Sequence, residues 1–491
     1  MKIAALVLFV SFSHQIFSQS KDIEIRKTAI RAVMDGYNDQ DYKKMKKPWF
    51  GLGKLLVSKK SLRDEFAPYF ETHGQAQIDT IVYDSKYEYV AQLRFTKRPG
   101  ERAYMKFLFS EKGKIQGMGF DYPPLVYRKT QDVPVWNKDE LSSKIDSLLT
   151  SKYVGNKKFS FNGSIMLMTA GQVDYVKHIG YSDFEKKSSI NDSTLFDLAS
   201  CSKQFTSYAI MILAGRDKLS LQDNVLKYLP ELPYANITIE HLLTHTSGLP
   251  DYEVLLKKEW DKTKFATNED VLKMFALHHP GILSKPGEYF QYSNAGYVML
   301  ALIIERISGT TYADFLEKEI FSPLGMTHTR VYNTRRSMGE VLQNGATGYV
   351  FDPDLGRYII PDSLSQYQVV IYQDAITGDG TVNSCTSDLA KWQIEIDDPK
   401  LISQAQLDKM CSNQVLKNGN SIGYGYGFFV HDGPSTEKLV YHTGGWPGYF
   451  SIIMRFPELD KSIVILSNNS FDNFTFLADD IAAILLEGEN R

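Results

Sequence analysis

An apolar stripe at helical spacing, Phe205, Tyr208, Ala209, Ile212 and Leu213, starts directly behind Ser200-Cys201-Ser202-Lys203. This feature constrains the chain most, because it ties a helix start to a chemistry. A spacing of three puts Ser200 and Lys203 on one helix face. A serine hydroxyl is a weak nucleophile at neutral pH, and a neighbouring amine can take its proton. The helix start adds partial positive charge and free N–H groups where an oxyanion develops. By itself the pattern is weak. A capping serine beside a solvated lysine also produces it, and Ser435 and Lys438 repeat the spacing between Gly433-Pro434 and a strand.

Two further motifs add chemistry. Tyr292-Ser293-Asn294 follows Pro286-Gly287-Glu288. Tyr292 can relay a proton, and Asn294 can donate to a substrate carbonyl or orient Lys203. Tyr234-Ala235-Asn236 has the same pattern in a Pro-flanked loop and reads as a decoy. His442-Thr443-Gly444-Gly445 stands just before the apolar run 450–456. A strand edge there can hold a peptide-like substrate by main-chain pairing.

The 491 residues suffice for two or more domains. With 55 Lys+Arg against 58 Asp+Glu, the net charge of −3 leaves no basic surplus for nucleic-acid phosphates. Cys201, Cys385 and Cys411 are too few for a disulfide scaffold and lack C-x-x-C spacing, and no H-E-x-x-H occurs. No metal and no cofactor is expected. The expected partner is a small-molecule or peptide substrate, a cell-wall peptide among the candidates. Met1-Lys2, the apolar run 3–12 and Ser18 before Gln19 read as a secretory signal peptide over 1–18. Such a run is too short to span a bilayer comfortably. No later segment reaches 18 uninterrupted apolar residues, so secretion or a periplasmic location without a membrane span is expected.

Residues 19–128 read as helices at 21–37 and 61–70, then strands at 87–95, 103–109 and 115–120 with turns at 98–100 and 112–113. That small α+β cone resembles domains related to nuclear transport factor 2, which implies an accessory domain without catalytic residues. Prolines around 123–134 mark a linker, placed at 129–137. Beyond it come a helix at 139–149 and a hairpin of 164–168 with 173–179.

In the order S-x-x-K, Y-x-N, H-T-G, the motifs resemble those of the penicillin-binding-protein-like serine hydrolases. That group includes class C β-lactamases, DD-peptidases, and related esterases and D-aminopeptidases. His241-Leu242-Leu243-Thr244-His245-Thr246-Ser247-Gly248-Leu249-Pro250, Pro323-Leu324-Gly325-Met326, and Gly378-Asp379-Gly380 ahead of Ser387-Asp388-Leu389-Ala390 carry the same resemblance. It covers the region 138–491. It implies an α+β, β-lactamase/transpeptidase-like domain: an antiparallel sheet flanked by helices, beside an all-helical lobe, with the site between them. It also implies roles. Ser200 would be the acylated nucleophile, with Lys203 and Tyr292 sharing proton transfer. Asn294, His442, Thr443, Gly444 and Gly445 would bind substrate, and the N–H groups of Ser200 and Gly445 would form an oxyanion hole.

Position 442 departs from the family pattern, which usually has Lys there. An unperturbed His is mostly neutral at neutral pH and would hold a substrate carboxylate less firmly. That favours a DD-peptidase, D-aminopeptidase or esterase-like activity over a β-lactamase. Cys201 is expected as a small buried core residue. Two rival readings remain. Gly419-Asn420-Ser421-Ile422-Gly423, with Asp432 and His442 downstream, matches the G-x-S-x-G of another hydrolase fold. That motif needs strand, sharp turn and helix, whereas a strand is expected over 423–430. The other rival is a non-catalytic penicillin-binding sensor or scaffold.

Overall fold

The computed structural model describes residues 19–49, 58–84, 88–97, 103–109, 114–121, 127, 129, 133, 135–155, 160–433, 436–470 and 474–487. The expected signal peptide 1–18, the turns at 98–100 and 112–113, residues 130–132 and 134 of the linker 129–137, and Ser435 lie outside them. The chain divides into two compact units, Met1–Val126 and Tyr127–Arg491.

In the first unit, helices α1 (Gln19–Asn38), α2 (Tyr42–Lys46) and α3 (Lys59–His73) precede four strands. These are β1 (Ala76–Asp84), β2 (Glu88–Phe95), β3 (Ala103–Phe109) and β4 (Ile115–Asp121), an antiparallel meander in chain order. Ile30, Val33, Met34 and Tyr37 form the buried stripe of α1. In β2, Ala91, Leu93 and Phe95 point inward while Arg94 is exposed. The sequence reading missed β1. Its register slips between Ile78 and Thr80 and again between Ile81 and Tyr83. Such bulges break the period of two on which a strand is recognised.

The second unit is built on a six-stranded antiparallel sheet. Its strands are β5 (Gly163–Thr169), β6 (Gln172–Ile179), β7 (Phe429–His431), β8 (Leu439–Trp446), β9 (Tyr449–Phe456) and β10 (Lys461–Ser467), in the order β7-β8-β9-β10-β5-β6. Strands β5, β9 and β10 are buried over nearly their whole length, as strands covered on both faces must be. Helices α4 (Lys138–Leu148), α7 (Thr386–Asp397) and α8 (Phe474–Glu487) pack on the sheet. The strand expected over 423–430 is cut to β7. Gly423 and Gly427 have φ +70° and +79°, outside the extended range.

Beside the sheet, α5 (Lys203–Gly215) and α6 (Asn294–Ser308) pack together and are buried almost all round. Such helices are central ones, with no polar face for solvent. α6 ends at Gly309 in the left-handed conformation, φ +71°, the usual exit for a helix. The two helices begin next to each other: Lys203 in the first turn of α5 hydrogen bonds Asn294 at the start of α6. No described helix is long and apolar enough to cross a membrane.

Candidate active site

Ser200 sits in a 3-10 turn, Ala199–Ser202, that runs into α5. The carboxylate of Asp197 accepts the Ala199 N–H at 2.7 Å, and Ala199 has φ +45°. That left-handed conformation costs a residue with a Cβ about 1–3 kcal/mol. The sheet holds the turn in place. Ser451 donates to Leu198 O at 2.6 Å, and the Cys201 thiol donates to His442 O at 3.1 Å. At Gly444 a Cβ would lie 2.1 Å from Leu198 O, so only glycine lets β8 approach this closely. Cys201 is fully buried and unpaired with other cysteines, a core residue as expected.

Lys203 lies behind the serine, fully buried. Its Nζ is 3.1 Å from Ser200 Oγ, 2.9 Å from Asn294 Oδ1 and 2.8 Å from the backbone oxygen of Asp379. Burial pulls its pKa down to about 8, opposed by the carboxylates of Asp379, Asp251 and Glu253. A neutral amine has two N–H groups and one lone pair. The Asn294 and Asp379 oxygens accept the former, which leaves the lone pair for the Ser200 hydroxyl.

Tyr292 places its ring 5.1 Å from Lys203 Nζ, and its hydroxyl lies close enough to Ser200 to interact with it. Burial pushes its pKa above the ordinary tyrosine value, with Ser200 opposing. The phenol therefore stays protonated at neutral pH and can donate, which leaves Lys203 as the better base. Asn294 Nδ2 donates to Glu253 Oε1 at 3.2 Å, and its backbone N–H donates to Asp251. Ser200, Asn294, Glu253, Asp379 and Gly445 line one cleft of about 710 Å³.

Strand β7 pairs with β8 only through Leu439–Tyr441, while β8 runs on along β9 to Trp446. Among the described residues no strand covers the far edge of Thr443–Trp446. Its main-chain groups are placed to pair with an extended ligand next to Ser200.

The reading of His442 as a substrate contact needs correction. Its side chain does not line the cleft. His442 is 1% exposed. Its Nδ1 donates to Thr443 O at 2.6 Å, so its Nε2 accepts from the Tyr424 hydroxyl at 3.1 Å. Burial, helped by the Lys203 charge, lowers its pKa to about 3. Alternation along β8 sends His442 and Gly444 to one face and Thr443 and Gly445 to the other. The first face is packed against the Ser200 turn and against Tyr292, Tyr424 and Phe429. The imidazole is thus too enclosed to meet a substrate carboxylate. His442→Asn should change kcat/KM for matched acidic and neutral esters by the same factor, within about threefold, as initial rates will show.

Several residues of the site were not singled out from sequence. His245 clamps the segment that carries Tyr292. Its Nδ1 accepts the Ser293 N–H at 3.1 Å, its carbonyl accepts the Gln291 N–H at 2.7 Å, and its ring stacks on Tyr292 at 4.1 Å. Asp251, Glu253 and Asp379 surround the lysine. Burial raises Asp379 to about 6, and burial with the Asp251 and Asp379 charges raises Glu253 to about 7. His245 and Asp379 do stand in the motif segments quoted above. Nothing local marks Asp251 or Glu253.

The decoys fall elsewhere. The Tyr234 hydroxyl donates to Pro280 O and its ring packs on Phe275. Ser421 is exposed in a bridge with Val415, and no helix follows it.

A family model described as Beta-lactamase matches residues 161–487. Penicillin-binding protein 4* of Bacillus subtilis is 41% identical over 316 residues, which cover 64% of this chain and 70% of that protein. The octameric penicillin-binding protein homologue of Pyrococcus abyssi superposes with a TM-score of 0.59 at 29% identity, over 70% of this chain and 77% of its own. The D-amino acid amidase of Ochrobactrum anthropi, in complex with D-phenylalanine, gives a TM-score of 0.56 at 25% identity, over 71% and 97%. With a turn that sets a serine against a buried lysine, and with this sheet beside these helices, the chain belongs to the beta-lactamase family of serine hydrolases.

Proposed function

We propose that the protein is a secreted hydrolase that forms an acyl-enzyme on Ser200 and cleaves small esters or short peptides and amides bearing D-residues. One observation carries this reading: a buried Lys203 amine of lowered pKa, 3.1 Å from Ser200 Oγ. Lys203 takes the Ser200 proton as the hydroxyl attacks a carbonyl carbon. Tyr292 donates to the leaving atom. The N–H groups of Ser200 and Gly445 stabilise the oxyanion, and the open edge of β8 holds the substrate chain. Water then attacks the ester, with the same two side chains returning the protons. The likeness to a D-amino acid amidase and to penicillin-binding proteins supports the substrate class. Residues 1–18 have the pattern of an export signal, and the first unit serves as an accessory domain.

The test is a rate survey of the protein lacking residues 1–18. Small esters, D-amino-acid amides and D-peptides should be turned over, and penicillins should acylate without rapid release. Penicillin or cephalosporin hydrolysis far faster than ester hydrolysis would replace this reading with a β-lactamase. Tyr292→Phe should lower kcat by about a hundredfold, the scale for a general acid–base group. Tyr234→Phe should leave kcat unchanged. Equal losses at the two tyrosines would remove Tyr292 from the relay.

A further inference from the structure

Three cationic side chains line the cleft among the described residues: Lys186, Arg335 and Arg336. Two of them are matched by acids. Lys186 pairs with Asp183 at 2.9 Å. Arg336 takes Asp362 with both Nε and a terminal nitrogen, at 2.6 and 2.8 Å, and reaches Asp374 at 3.3 Å. Arg335 has no hydrogen bond or ion pair among the described residues.

Its backbone is nevertheless tied on both sides. The N–H groups of Arg336 and Ser337 donate to one oxygen of Asp374, at 2.7 and 2.9 Å. Upstream, the Tyr332 N–H donates to Thr381 O at 2.8 Å, and Thr381 itself lines the cleft. The segment is thus fixed around a half-buried guanidinium that makes no hydrogen bond or ion pair among the described residues, although its charge also acts on the carboxyl of Asp362. A guanidinium stays charged at any working pH, and a partly desolvated charge without a partner is costly to keep. Its field reaches the reacting end of the cleft, because Arg335 acts on the carboxyl of Asp197, three residues before Ser200. Asp197 does not satisfy it; that carboxylate accepts the Ala199 N–H instead.

We propose that Arg335 is the anion-binding residue of this cleft and takes a substrate carboxylate as a bidentate pair while Ser200 attacks a nearby carbonyl. The inference rests on the acyl-enzyme reading of Ser200. It gives the cleft a carboxylate contact that the enclosed His442 does not supply. The planar fork of Arg335 matches the two oxygens of a carboxylate, which makes such a pair selective as well as attractive.

Three ligands on one D-alanyl-D-alanine core test this: one capped at both ends by acetyl and amide, one with a free C-terminal carboxylate, and one with a succinyl carboxylate at the acyl end. Calorimetry on Ser200→Ala protein reads binding apart from turnover, and kcat/KM is read on the unmodified protein. One of the two acids should bind about ten- to a hundredfold more tightly than the doubly capped ligand, the range of a charge-assisted pair. Arg335→Gln should erase that preference and leave the capped ligand's affinity unchanged, while Arg335→Lys keeps part of it. Rising salt should narrow the gap. A preference that survives Arg335→Gln, an equal loss for all three ligands, or no preference for either acid would overturn the proposal. If the preference follows Arg335 but the unmodified protein turns over nothing, the anion site stands and the acyl-enzyme reading falls.

Discussion

Ser200→Ala should reduce hydrolysis of any substrate by about 10⁴-fold or more, because removing the nucleophile disables the whole relay. Labelling by a fluorophosphonate should vanish with it. The loss is large because Lys203 and Tyr292 both act on the Ser200 hydroxyl, with Asn294 holding the lysine. Folding should be untouched, since Ser200 lines the cleft and the turn is held by Asp197, Ser451 and Cys201 rather than by the serine hydroxyl. Circular dichroism and thermal melting check that point. Ser421→Ala and Ser435→Ala should keep full activity and full labelling. The comparison also separates an enzyme from a sensor: labelling at Ser200 without turnover by the unmodified protein would mean a binding module. Turnover that survives Ser200→Ala would overturn the nucleophile assignment.

The site was legible in the sequence wherever its residues are adjacent in the chain. Ser200 and Lys203 share a turn, and Tyr292 and Asn294 flank a helix start, so spacing alone sets their geometry. The long-range parts were not. Asp379 reaches Lys203 across 176 residues, and Asp251 meets Asn294 across 43. Such partners follow from how α5 and α6 pack, which no local pattern states. His442 was misjudged for a related reason. Alternation says that neighbours on β8 face opposite ways, but which face meets the cleft depends on the turn that Gly444 lets β8 approach. The fold was clearer at part of the second unit's sheet, where the apolar runs 164–168 and 450–456 mark β5 and β9, while β10 was not singled out. Strand β1 was hidden by its bulges, and the stretch before β7 by glycines in left-handed conformations.

Lys203 supplies the test with the second largest effect. Lys203→Ala should lower kcat by about 10³-fold, toward the upper end for a general base. Lys203→Arg is more informative, because it keeps the charge but cannot lose its proton at any working pH. If the lysine merely offers positive charge, arginine should retain much of the activity. If it acts as a base, arginine should be as poor as alanine, and the base reading expects that result. The pH profile decides independently. Burial lowers the Lys203 pKa to about 8, so the neutral amine is a minority form below that pH. The value of kcat/KM should therefore rise with pH and level off just above 8. Tyr292 stays protonated through that range, because burial moves its pKa upward. The carboxylate of Asp379 opposes the lysine shift. Asp379→Asn removes that negative charge and should move the rising limb to lower pH, while the backbone oxygen that holds Nζ remains. A profile that is flat from pH 6 to 9, or an Asp379→Asn limb displaced to higher pH, would assign the proton to another group.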